Sequence, residues 1–134
     1  MLSEDGVTIF DGLTRLSIVP TGEPGLGYPC RVQIISGSFS VAVEAEARID
    51  PKFRESLKEL NASMKGEAEI MFWSEEHSII IKGEGTGDLR VLANIYEGNP
   101  WRARFTAKLF LDQSYLPAII QGIDHHFPQK EPQR

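Results

Sequence analysis

FSVAVEAEARID (Phe39–Asp50) and WRARFTAKLFLD (Trp101–Asp112) lie roughly sixty residues apart and share one pattern. In the first, Phe39, Val41, Val43, Ala45, Ala47 and Ile49 occupy every second position. In the second, Trp101, Ala103, Phe105, Ala107, Leu109 and Leu111 do the same. A period of two places such residues on one face of a strand, so each segment reads as a strand with one buried face. Each also ends in an aspartate that opens a helical pattern. Asp50 can accept from the free amides of a first turn, and Pro51 fits the first helical position because its missing N–H would be unpaired there anyway. Phe53, Leu57, Leu60 and Met64 then form one stripe of an amphipathic helix, with Gly66 just past its end.

Working outward, Val7 to Phe10 and Thr14 to Val19 read as strands joined at Asp11-Gly12, a strong hairpin-turn pair. Pro20 to Pro29 is rich in Gly and Pro and reads as a loop. Cys30 to Ile35 is the next strand. Glu67 to Trp73, Ser78 to Lys82, Asp88 to Tyr96 and Trp101 to Leu111 follow the helix. A final helix starts near Asp112 or Ser114, with Leu116, Ile119, Ile120, Ile123 and Phe127 as its apolar stripe and Pro117 in its first turn. The order is four strands, helix, four strands, helix. Tight turns require antiparallel pairing. The expected fold is α+β: about eight mostly antiparallel strands in one curled sheet or two sheets, with two helices, forming one domain over residues 1–127. Residues 128–134 are expected to fray.

The polar faces of the two matching strands differ in sign. The first carries Ser40, Ala42, Glu44, Glu46 and Arg48, the second Arg102, Arg104, Thr106, Lys108 and Phe110. Side by side they would pair; apart, each offers a charged strip. The chain of 134 residues has a net charge of −5 and one cysteine. The acidic balance argues against nucleic acid, which needs clustered Lys and Arg. One cysteine excludes an internal disulfide and fits a reducing compartment. With no apolar run of ~18 residues and no signal-like N-terminus, the expectation is a cytoplasmic protein without a membrane segment.

The residues that could carry chemistry do not converge in sequence. In Asp124-His125-His126 the adjacent imidazoles point about 100° apart on a helix, so no metal site is expected. His77 beside Glu75 and Glu76 reads as part of a solvated turn. Cys30, between Val32, Ile34 and the preceding loop, reads as a small core residue. Gly83-Glu84-Gly85-Thr86-Gly87 lacks the Lys-Ser/Thr ending and the following helix of a phosphate loop, so it reads as a turn. No catalytic residue, cofactor or metal is expected. Trp73 and Trp101 either anchor a partner or cap the core.

A family resemblance rests on Phe53, Leu57 and Leu60 in a helix, Gly66, Trp73-Ser74-Glu75 in a hairpin, Gly87-Asp88-Leu89-Arg90-Val91 in a strand, Trp101 opening the last strand, and Leu116 with Ile120 in the final helix. Over Phe53 to Ile123 the chain resembles small bacterial proteins akin to the WapI-like immunity proteins, often encoded beside secreted polymorphic toxins. It departs from them at Lys65, where an aromatic is common, and at Asp88, where a histidine is common. The resemblance implies a protein that binds and blocks a toxin. The leading expectation is therefore a non-enzymatic protein-binding domain, with Trp73, Glu75, Glu76 and Asp88 as partner-binding residues. The rivals are a small-ligand protein or enzyme whose pocket is assembled from distant strands, and a homodimer through an open sheet edge.

Overall fold

The computed structural model describes residues 5–73, 77–98 and 103–129. Eight strands follow in chain order: β1 (Val7–Phe10), β2 (Thr14–Pro20), β3 (Tyr28–Ser36), β4 (Phe39–Arg48), β5 (Lys65–Phe72), β6 (Ser78–Glu84), β7 (Asp88–Glu97) and β8 (Ala103–Asp112). Helix α1 (Pro51–Ser63) separates β4 from β5, and α2 (Leu116–His126) follows β8 after a short 3-10 turn. All eight strands form one antiparallel sheet whose spatial order equals the sequence order. The α+β expectation holds, and the choice between one sheet and two resolves to one.

The sheet nonetheless has a seam. β3 and β4 pair from Tyr28↔Ala47 to Ser36↔Phe39, and β7 and β8 from Asp88↔Asp112 to Glu97↔Ala103. β4 and β5 pair only at Ala47↔Phe72 and Arg48↔Met71, extended by the Trp73 amide donating to the Glu46 carbonyl at 3.0 Å. The strands then diverge, and α1 packs along β5. The curl brings the opposite end of the sheet round to β8, although the sheet does not close. Asp11, in the β1–β2 turn, accepts from the Phe110 amide at 3.1 Å, and the rings of Phe39 and Phe105 meet edge to face at 6.3 Å. β4 and β8 are not neighbours, so their oppositely charged faces do not pair; Glu44 instead meets Arg31 of β3 at 3.0 Å.

Local chemistry explains the boundaries. Asp50 caps α1, accepting from the Phe53 amide at 2.9 Å, and Asp112 caps the 3-10 turn through the Ser114 amide at 2.8 Å. Pro117 stands in the first turn of α2, as expected. α1 stops earlier than its stripe implied. Met64 is its C-cap in the left-handed region (φ 64°), donating to the Leu60 carbonyl, while Gly66 already lies in β5. Met64 is half-exposed, so it terminates the helix and does not extend the buried stripe. Pro20 and Pro29, expected in a loop, belong to the ends of β2 and β3, tied by the Thr21 amide to the Pro29 carbonyl at 3.0 Å.

One contiguous core runs from Val7 and Leu16 through Phe72, Ile81 and Leu109 to Ile123 and Phe127. Gly83 of β6 lies against the last turn of α1. A Cβ there would come within 2.9 Å of the Leu60 side chain and 3.1 Å of the Met64 carbonyl oxygen, which lets the helix sit close on the sheet. Pro128, placed in a frayed tail from the sequence, accepts a hydrogen bond from the Tyr28 hydroxyl at 2.8 Å; residues 130–134 lie outside the described residues. Among the described residues no helix is long and apolar enough to cross a membrane.

Candidate functional site

The seam positions the first candidate site. Where β4 and β5 part, the chain between β2 and β3 folds over them. Leu26, Tyr28, Arg48, Ile49, Asp50, Pro51, Trp73 and Gln129 then enclose an open groove of about 440 Å³. Its centre is Trp73. The Arg48 guanidinium lies 3.9 Å from the centre of the indole, a cation–π contact of roughly 0.5–2 kcal/mol. On the indole edge, Gly27 approaches so closely that a Cβ would lie 2.5 Å from Trp73 Nε1 and 2.9 Å from Glu46 Cγ. Trp73 is therefore held between an arginine and a glycine backbone, yet it remains 44% exposed, beside Leu26 at 89%. Among the described residues, Arg48 Nε is buried without a hydrogen-bond partner. The carboxylate of Asp50 is already engaged in capping α1.

The groove floor is fastened by a residue that the sequence reading did not single out. Arg54 of α1 is only 7% exposed. It donates to Asp124 Oδ1 at 3.2 Å, to the Tyr28 hydroxyl at 3.4 Å and to the Phe127 carbonyl. Tyr28 packs edge to face on Phe127 at 5.8 Å. One guanidinium thus ties α1, α2 and β3 together directly beneath the groove. Its position one residue after Phe53 and three before Leu57, inside the apolar arc of the helix, was the available signal.

Of the expected partner-binding residues, Trp73 lies in the groove. Glu75 and Glu76 lie outside the described residues. Asp88 opens β7 opposite Asp112, at the other end of the sheet from Trp73 and roughly 25 Å away along the strands. Asp88 and Trp73 therefore do not share a site. Trp101 also lies outside the described residues.

A second depression, of about 330 Å³, lies on the outer face of β5–β8. Ile80 and Leu92 floor it, Phe110 forms one wall, and Lys82, Arg90 and Lys108 ring it. Lys82 stands directly opposite Arg90, a like-charge pair that costs stability unless an anion relieves it. Glu84 lies 4.0 Å from both and provides part of that relief.

The remaining titratable residues are placed as follows. His77, expected in a solvated turn, is buried at 5% exposure. Its Nδ1 accepts from the Tyr96 amide at 3.1 Å, and its ring packs on Phe72 at 6.0 Å. It has the parity of Ile79 and Ile81 and extends their inward row by one step. Cys30 is fully buried, and burial pushes its thiol up to about 12, helped by Glu44 and Glu46 and opposed by a hydrogen bond to the Ala47 backbone. It is a core residue, as expected, and unreactive at neutral pH. His125 and His126 pack edge to face at 4.7 Å in the last turn of α2. Among the described residues, no group of three or more His, Cys, Asp or Glu side chains could hold a metal ion.

No family model, curated protein or solved structure matches this chain. The fold and its seam groove define a class: an α+β protein with one curled antiparallel sheet and an open aromatic–arginine groove.

Proposed function

We propose that the chain is a non-catalytic binding protein of the immunity type, neutralising a toxin by docking it on the Trp73 groove. The observation that carries this reading is the combination at the seam. A preformed Trp–Arg stack stands beside a nearly fully exposed leucine and over a tyrosine held by Arg54. Trp, Tyr and Arg dominate binding hot spots, and rigid anchors bind with less lost side-chain entropy.

The test is co-expression with the products of the genes neighbouring this one, toxin candidates among them, reading growth rescue and co-purification for the wild type, Trp73→Ala and Arg48→Ala. Rescue by the wild type, with affinity falling roughly 30-fold or more for Trp73→Ala, is the expected result. Rescue undiminished by both substitutions would move the docking site elsewhere. Absence of both rescue and complex would end the toxin-neutralising reading.

The same groove favours one alternative. It is assembled from segments far apart in sequence and lies in the usual size range of small-molecule sites. A small anionic ligand there would contact Arg48 and quench Trp73. Saturable quenching lost in Trp73→Phe would favour this alternative over protein docking.

A further inference from the structure

We propose that two copies of this chain associate about a two-fold axis by antiparallel pairing of the free edge of β4, centred on Ala42. The argument begins with parity. The β3–β4 hairpin has a two-residue turn, Gly37-Ser38, with Gly37 at φ 61° and Ser36 paired with Phe39. Such a turn is closed by a hydrogen-bonded pair, so the backbone groups of Phe39, Val41, Val43, Ala45 and Ala47 point to β3. Those of Ser40, Ala42, Glu44, Glu46 and Arg48 point the other way. The Glu46 carbonyl confirms the parity by accepting from Trp73 across the seam. Because β5 pairs only at Ala47 and Arg48, the amides and carbonyls of Ser40, Ala42 and Glu44 have no strand partner among the described residues.

The other edges are protected by the devices that proteins use against strand addition. β1 is four residues long and α2 packs on it. β5 is flanked by α1. On β8 the Phe110 amide is taken by Asp11, and the outward-facing row carries Arg104 and Lys108. The β4 edge has no proline or lysine, and its one charge between Phe39 and Ala45, Glu44, is neutralised by Arg31. It also leaves apolar side chains uncovered on the inner face: Phe39 is 66% exposed, with Val41, Val43 and Ala45 half-buried.

A second copy of β4 fits this edge. With Ala42 opposite Ala42 of the second copy, Ser40 faces Glu44, and all three outward-facing residues exchange both of their hydrogen bonds. Val41 then lies beside Val43, and Phe39 beside Ala45, joining the two apolar rows. Centring on Glu44 would set the two carboxylates against each other, and centring on Ser40 would leave Glu44 unpaired. Charge and hydrogen bonding therefore select one register. This inference is independent of the Trp73 groove.

Sedimentation across a wide concentration range tests it, with three variants. Ala42→Pro removes an edge-facing amide and none of the bonds to β3, so it should yield a folded monomer. Ser40→Lys, opposite Glu44 of the other copy, should tighten the dimer roughly 2- to 10-fold, and Ser40→Glu should loosen it by a similar factor. A wild type that stays monomeric at the highest concentration overturns the proposal. So does a dimer that survives Ala42→Pro, or one whose strength ignores the charge at position 40. If Ala42→Pro fails to fold, as circular dichroism would reveal, the exposed Ser40 pair decides alone.

Discussion

β4 and β8 share one alternating pattern, yet the structure treats them differently. In β8, Ala103 is exposed and Phe105 half-buried, but Ala107, Leu109 and Leu111 are buried. In β4 the equivalent row is only half-covered until Ala47, and Phe39 stands largely in solvent. Both strands are paired on one side, by β7 and β3. The difference lies in what crosses them. The β1–β2 turn folds onto β8 at Phe110 and β8 leads into α2, whereas β4 pairs with β5 at only two positions before the two part. Alternation shows which face is apolar, and tertiary covering decides how much of that face leaves water.

The largest expected effect tests that contrast directly. Leu109→Ala should destabilise by about 3 kcal/mol, through lost burial and a residual cavity. Val43→Ala, on the same parity of the matching strand, should cost less than about 1 kcal/mol in dilute solution. Urea unfolding of both variants measures the difference. Equal losses would mean that β4 is as well covered as β8.

The next test concerns how the two strand–helix units are fastened. Arg54→Ala should cost about 2–3 kcal/mol, because it strips the Phe127 carbonyl and the Tyr28 hydroxyl of a charged donor. Asp124→Ala should cost under about 1 kcal/mol, since that carboxylate is half-exposed and its loss leaves Arg54 two other partners. Thermal unfolding of the two variants ranks them. If Asp124→Ala proved the costlier, the ion pair would outweigh the carbonyl contact as the fastening.

Much of the fold was legible in the sequence because its signals are local. Period-two rows marked the strands, Asp11-Gly12 the first turn, and Asp50-Pro51 the start of α1. His77 was legible as well, by parity with Ile79 and Ile81, but the neighbouring glutamates drew it into a turn. The groove was not legible. The partners of Arg54 lie 26, 70 and 73 residues away, beyond the reach of any spacing rule. Trp73 meets Arg48 only because β4 and β5 stay paired for two positions before parting. Trp73 was singled out by residue type, as a partner anchor or a core cap, while Asp88 was grouped with it by sequence pattern and lies at the far end of the sheet.

Asp11 links the units from the other side, and its contribution depends on pH. Burial raises its pKa, but hydrogen bonds from the Thr14, Leu13 and Phe110 amides lower it further, so the folded value lies below the ordinary one. A depressed carboxylate stabilises fully above its unfolded pKa of about 4, and that contribution is lost as pH falls through the folded value. Asp11→Ala should therefore cost about 1–2 kcal/mol at neutral pH. The gap from the wild type should narrow under acid, which unfolding curves between neutral pH and about pH 2 would record. A gap independent of pH would mean that shape, and not charge, closes the turn onto β8.

The smallest effect contrasts the two helix ends. α2 ends at Phe127 with φ −129° and a buried ring, whereas α1 ends at Met64 with φ 64° and a half-exposed side chain. A left-handed non-glycine residue costs about 1 kcal/mol, partly offset by the greater unfolded-chain entropy of glycine. Met64→Gly keeps the amide that donates to Leu60 and the carbonyl that accepts from Gly85 at 2.8 Å. It should therefore stabilise by about 0.5 kcal/mol, a small rise in melting temperature. Phe127→Gly, at an end that needs no left-handed residue, should destabilise by several-fold more through lost burial. Should Met64→Gly destabilise instead, the methionine side chain would be acting as part of the helix stripe, as its spacing from Leu57 and Leu60 first implied, and not only as a cap.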